Sequence, residues 1–161
     1  MMNNLILPDR QRETDELFMR EALAEATKAA REGEVPIGAV IVRNDEIIAK
    51  AHNEIEKTNN QLKHAEMIAI ENASNALTDW RFNNLDIYVT IEPCLMCMGA
   101  ILLHRFKRLI YGAPNKITGA FSGPCNIAGL DSNKIKTIII NGILEEKALN
   151  LIKGFFDKLR S

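Results

Sequence analysis

Between Thr14 and Arg31, apolar positions Met19, Leu23, Ala26 and Ala30 recur at i, i+4, i+7 and i+11, the stripe of an amphipathic helix. Thr14 or Asp15 stands where it can cap the start, and Gly33 where it can stop the helix. The many alanines (Ala22, Ala24, Ala26, Ala29, Ala30) suit a helix lying close against a sheet. The period then changes. Ile37–Val42 is almost continuously apolar and Glu46–Lys50 holds Ile47 and Ile48, with Asn44-Asp45 between, which predicts two strands joined by a tight hairpin. Asn53–Lys63 is polar and irregular. A helical pattern resumes from His64 through Met67, Ile70 and Leu77. Leu85–Thr90 predicts a buried strand, Cys94–Leu103 a helix following Pro93, and Leu109–Tyr111 a short strand ended by Gly112.

Residues 112–135 hold Gly112, Gly119, Gly123, Gly129, Pro114 and Pro124, and predict a long ordered loop of the kind that is usually functional. Thr137–Ile140 predicts a strand and Asn141-Gly142 a turn. The last helix carries Leu144, Ala148, Leu151, Ile152, Phe155, Phe156 and Leu159, with Glu145 and Glu146 favourable at its positive end. The order α-β-β-α-β-α-β-β-α with apolar strands implies an α/β fold, a mixed sheet of about five strands covered by helices on both faces.

Composition bounds this picture without changing it. The chain has 161 residues, 47% hydrophobic and 25% charged, and predicts one domain over 1–161 with residues 1–12 as an N-terminal extension. Its formal net charge of −1 gives no global push toward nucleic acid or anionic membrane, so any such contact must be local. No apolar run approaches the roughly 20 residues that span a bilayer, and MMNNLILP lacks the basic start of a signal peptide. Three cysteines, two of them in C-x-x-C, fit a reduced, cytoplasmic setting better than a disulfide framework.

Chemistry enters at His64-Ala65-Glu66 and Pro93-Cys94-Leu95-Met96-Cys97. Cys94 and Cys97, at i and i+3 on a first helical turn, point the same way, and the positive helix start favours thiolates. His64 adds an imidazole from another helix start. Three such ligands leave a tetrahedral zinc one position short, as a catalytic zinc requires, and Glu66 is free to move protons. C-x-x-C alone is equally consistent with structural zinc, a redox dithiol or chance, and H-x-E alone with solvated surface. Their combination at two predicted helix starts is far more specific. A closed structural site would need a fourth ligand from His52, His104 or Cys125, and Glu66 would then have no task.

H-A-E followed by P-C-x-x-C is the pattern of the zinc nucleobase and nucleoside deaminases. Glu34-Val35-Pro36-Ile37-Gly38-Ala39-Val40, Asn53, Thr90-Ile91-Glu92, Met98-Gly99-Ala100, Tyr111-Gly112-Ala113, Thr118-Gly119-Ala120 and Phe155-Phe156 extend the likeness over roughly residues 14–160. The chain resembles the bacterial tRNA-specific adenosine deaminases. The resemblance implies a cytidine-deaminase-like three-layer α/β/α fold, a homodimer, and hydrolytic deamination of the wobble adenosine of a tRNA anticodon stem-loop to inosine. It implies Zn²⁺ on His64, Cys94 and Cys97, a water activated there, and Glu66 as proton shuttle. It further implies Asn53 hydrogen-bonding the flipped purine, Val35 and Ile37 walling its pocket, and Phe156 helping to form the RNA-facing wall. From the residues alone, Asn53 reads as a turn residue and the other three as core.

No Asp or Glu occurs from Cys94 to Leu130, whereas Arg105, Lys107, Arg108 and Lys116 do, so these four are candidate nucleic-acid contacts; the plainer reading is a solvated charged face. The chain departs from the family at Asn115, where an Asp is usual, at Ser122-Gly123-Pro124-Cys125 and at residues 132–136. Asn115, neutral and able to donate and accept, is expected to relax discrimination between RNA and DNA. Two other readings stand beside tRNA deamination: a deaminase of a free base or nucleoside, such as cytosine or guanine, and a structural zinc module that binds RNA.

Overall fold

A computed structural model describes residues 8–127 and 136–161. Helix α1 (Asp9–Arg31) leads into the hairpin β1 (Gly38–Arg43) and β2 (Glu46–His52). A short helix α2 (Ile55–Thr58) precedes α3 (Ala65–Leu77); β3 (Asp86–Ile91), α4 (Leu95–Leu103) and β4 (Arg108–Ala113) follow, and β5 (Ile138–Ile140) and α5 (Glu145–Arg160) close the chain. The five strands lie in the order β2-β1-β3-β4-β5, with β1 antiparallel to β2 and β3, and β3-β4-β5 mutually parallel. This is the mixed sheet that the apolar pattern predicts.

Alternation along the strands feeds two cores. Val40, Val42, Tyr88, Ile110 and Ile140 face Phe18, Met19 and Ala22 of α1. Ala39, Ile41, Ile87, Val89 and Leu109 face Ala65, Ala69, Ile70 and Ala73 of α3 and Met98 and Ile101 of α4. Helix α5 packs on the α1 side through Ala148, against Ile91 and Ala113. The alanines of α1 allow close approach, and a Cβ on Gly38 would stand only 2.0 Å from the Ala22 carbonyl oxygen. The hairpin turn Asn44-Asp45 has φ of 51° and 62°, the double left-handed geometry that matches strand twist.

Two local expectations are corrected. Helix α1 starts at Asp9, not at a Thr14 or Asp15 cap: the Pro8 carbonyl accepts from the Gln11 and Arg12 N–H groups, and Thr14 bonds back to the Arg10 carbonyl inside the helix. The polar stretch after β2 contains α2, a four-residue helix too short to show a period. The buried Glu34 carboxylate accepts from its Glu56 and Lys57 N–H groups, a contact from outside the segment. Of the expected N-terminal extension, residues 9–12 belong to α1 and 1–7 lie outside the described residues, as does 132–135 of the altered loop.

Candidate metal centre

Both ligand motifs sit at helix starts just outside the ordered sheet. His64 is the residue before α3 and Cys94 the residue before α4, each with extended backbone (φ −72°, ψ 152° and φ −70°, ψ 173°) that turns the side chain inward before the helix takes over. Cys97 follows one turn into α4 and is fully buried. His64 Nδ1 lies 3.7 Å from Cys94 Sγ and 3.5 Å from Cys97 Sγ. Donors about 2.0–2.3 Å from a tetrahedral zinc stand about 3.6 Å apart, so this spacing fits the metal. Among the described residues, these three are the only His, Cys, Asp or Glu cluster positioned to hold an ion. The structural alternative lacks its fourth ligand: Cys125 is exposed and outside the cluster, His52 is bonded to Glu25 and Glu32, and His104 to the Ala100 carbonyl.

The trio shares protons that a divalent metal would displace. A hydrogen bond accepted from the Cys97 thiol, then one accepted from the His64 ring N–H, outweighs burial and pulls the Cys94 thiol well below its ordinary value, while donation to Cys94 and burial push Cys97 up. The Cys94 sulfur in turn holds the His64 imidazolium above its usual range. Glu66, 3% exposed, is pushed up to about 7, first by burial. Its carboxylate meets the Cys97 thiol, yet Oε2 is buried with no hydrogen-bond partner among the described residues. That oxygen is left available beside the three metal-type donors.

The residues expected to receive a base are partly gathered here. Asn53 is buried; its N–H donates to the Ile37 carbonyl at 3.2 Å and its Oδ1 accepts from the Ala65 N–H at 2.9 Å. Asn53 thus ties the residue before β1, through its backbone, to the start of α3, through its side chain, one residue from His64. Val35 and Ile37 flank buried Pro36 and are themselves half-buried, Ile37 packing against both neighbouring cores. Phe156 is a surface residue on α5, 37% exposed and edge-on to Phe155, on the side of the sheet away from α3 and α4. Asn115 spends its side chain on its own loop: Oδ1 accepts from the Ile117 and Thr118 N–H groups and Nδ2 donates to the Thr118 hydroxyl.

The loop that carries Asn115 is held by a residue that sequence reasoning passed over. Glu92, buried at the end of β3, accepts from the backbone N–H groups of Asn115 (2.9 Å), Phe121 (2.7 Å) and Ser122 (2.8 Å). Gly119 lies against it, where a Cβ would come within 2.5 Å of Glu92 Oε1, and pairs with Cys94 in an isolated bridge. The one available signal was the absence of Asp and Glu from 94 to 130, which leaves Glu92 as the nearest preceding carboxylate in the chain for that loop.

The basic run divides. Arg108 is not a surface cation, because its guanidinium pairs with Asp15 and Asp86 and only 12% of its side chain is exposed. Lys116 is exposed on the Glu92-held loop, at the trio's end of the molecule. Arg105 and Lys107 lie beyond the opposite end of α4.

With this geometry in place, likeness to known proteins is informative. The family model of the cytidine and deoxycytidylate deaminase zinc-binding region matches residues 12–113, spanning both ligand motifs. The chain belongs to that deaminase family. The deaminase is 42% identical over 146 residues to a tRNA-specific adenosine deaminase of Bacillus subtilis, with 91% of each chain covered. A solved structure from a study of A-to-I editing by tRNA:A34 deaminases superposes with a TM-score of 0.79 at 36% identity, covering 84% of this chain and 98% of the other. A guanine deaminase from Bacillus subtilis matches at a TM-score of 0.59 and 36% identity, over 62% of this chain and 64% of that one.

Proposed function

We propose that the deaminase hydrolyses the wobble adenosine of a tRNA anticodon to inosine, releasing ammonia. The observation that carries the chemistry is Glu66 Oε2, buried and without a partner among the described residues, beside His64, Cys94 and Cys97. The substrate rests on the likeness to tRNA-specific adenosine deaminases along nearly the whole chain.

His64, Cys94 and Cys97 would hold zinc, which when bound supplies the Lewis acidity that makes water nucleophilic at neutral pH. Glu66 takes the proton that the attacking water loses, delivers it to the purine ring nitrogen as C6 becomes tetrahedral, and then moves a proton to the leaving amine. Asn53 has already committed Oδ1 to Ala65, so its amide N–H is what it offers a flipped base. Ile37 and Val35 wall the pocket beside it. Lys116 contacts phosphate near the reacting nucleotide, and Phe156 forms part of the RNA-facing wall. The enzyme works as a cytoplasmic homodimer, a reading supported by Leu62, Leu95 and Ile117, large apolar side chains left exposed around the trio's end; a solution mass near twice 18.1 kDa is its check.

The guanine deaminase match favours a second reading, a free-base deaminase, over a shorter stretch. One assay separates them. Zinc-loaded protein is incubated separately with an anticodon stem-loop containing the wobble adenosine, with adenosine, with cytosine and with guanine. Inosine in the stem-loop alone is the expected result. Ammonia from a free base replaces it with the second reading, and no product in any arm removes the enzyme assignment.

A further inference from the structure

Helix α4 separates two ends of the molecule. Its first turn carries Cys97, and its last residue, Leu103, leads through Arg105 to the start of β4. Its 9 residues rise about 14 Å, so whatever gathers beyond Leu103 is remote from the trio. A cavity of about 570 Å³ opens there between the α4–β4 turn and the entry to β5, with Asn83, Arg105, Phe106, Lys107, Lys136 and Thr137 in its lining.

Three of these residues are cations, and among the described residues no carboxylate lines the cavity. Arg105, Lys107 and Lys136 are all exposed, and none forms an ion pair with a described residue. Their neighbours differ: Arg108 is consumed by Asp15 and Asp86, and Arg81 pairs with Asp79. Among the described residues, the uncompensated charge therefore belongs to the cavity.

The frame beneath it is rigid. Lys107 N–H donates to the Leu85 carbonyl and the Lys107 carbonyl accepts from Ile138, while the Thr137 hydroxyl donates to the Phe106 carbonyl at 2.7 Å. Leu102 and Ile138 in its lining give the cavity an apolar wall, with Phe106 packed beneath. Arg105 is fixed a second way. Its guanidinium carbon stands 5.3 Å from the ring centroid of Trp80, itself half exposed, and this stacking leaves the guanidinium edge free to donate.

Three like charges around one concavity repel one another, and an anion relieves that repulsion; an apolar wall strengthens the field it meets. Lys and Arg only donate, and such donors suit phosphate oxygens, which position a nucleic acid without reading its bases. We propose that this cavity is a phosphate-binding site, taking backbone phosphate of the nucleic-acid substrate as an anchor remote from the reacting base. The proposal rests on tRNA being the substrate; a polyanion held at the trio by one base has phosphates to spare over the length of α4.

The test uses zinc-loaded protein with a full tRNA transcript and, separately, with inorganic phosphate. Wild type is compared with Lys107→Ala/Lys136→Ala, with Lys107→Arg/Lys136→Arg, and with Arg12→Ala/Arg20→Ala, which removes the same charge from α1. The first pair is expected to weaken tRNA binding about tenfold near 50 mM salt and to flatten the slope of log affinity against log salt by about 1–2. The arginine pair should recover both, and the α1 pair should change affinity by less than about twofold. Wild-type affinity and slope in Lys107→Ala/Lys136→Ala overturn the proposal, and so does a variant that loses only inorganic phosphate, because the ligand is then a free anion. If wild type deaminates tRNA while the cavity variant binds as wild type does, only the anchor fails. If wild type neither binds nor deaminates tRNA, the substrate reading fails and the anchor falls with it.

Discussion

Glu66 shows how much one residue's setting decides. Two places from His64 on a regular helix, its carboxylate would point well away from the imidazole. The two meet because His64 precedes α3 in extended backbone and Glu66 lies inside its first turn. Burial then leaves Oε2 without a partner among the described residues. Glu66→Ala is expected to retain zinc, measured by metal content, and to lose activity on the stem-loop by about 10²–10⁴-fold or more. Cys94→Ala should lose both. A Glu66→Ala protein that deaminates at the wild-type rate would remove the proton-shuttle role. His64-x-Glu66 and Cys94-x-x-Cys97 were each legible because ligand chemistry fixes the spacing inside each motif, and the deaminase pattern joined the two across 30 residues. Glu92 was not, because its partners lie 23–30 residues away along a loop with no period to read.

At the scale of elements, α1 is tied to the sheet by a charge that its own sequence disguises. Asp15 looks like a helix cap, yet it is fully buried within the helix and accepts from the Tyr88 hydroxyl at 2.8 Å and from Arg108 at 3.1 Å. Burial and the Asp15 charge hold the Tyr88 hydroxyl above its usual range, so it stays a donor. Burial works against the Arg108 charge, but Asp86 and Asp15 outweigh it. Asp15→Ala strips Tyr88 and one arm of Arg108 of their acceptor while Asp86 still holds the other arm, and should cost about 2–4 kcal/mol in urea unfolding. A loss below about 1 kcal/mol would mean that water replaces the carboxylate. The same network explains why the basic run from Arg105 to Arg108 is not one surface: strand alternation turns its last member into the sheet.

Across the whole molecule, acid stability depends on a carboxylate that joins α1 to β2. Glu25 is buried between Lys28 and His52, at 2.6 and 3.1 Å. Burial pushes its pKa up, but the Lys28 and His52 hydrogen bonds outweigh it and leave the value below 4.5. A lowered folded-state value means that the stabilisation is complete above about pH 4.5 and is lost as pH falls through the folded value. Glu25→Gln should therefore be less stable than wild type near neutral pH, with the gap in urea midpoint constant down to about pH 5 and narrowing as pH falls below about 4.5. A gap that stays constant would place the effect in packing.

Periodicity and spacing by themselves determined the order of the elements apart from α2, the mixed sheet, the hairpin turn and the two motifs that carry the metal-type ligands and their carboxylate. Each element and each motif is written in residues close along the chain, where 3.6- and 2-residue repeats and helix-start geometry act directly. Tertiary structure alone decided which acids are buried and what they hold: Asp15 across the sheet, Glu34 over α2, Glu92 inside the loop. It also decided that one basic run serves two ends of the molecule and an internal ion pair. Those outcomes depend on which distant backbone groups a side chain meets, and chain separation carries no trace of that until the layers pack.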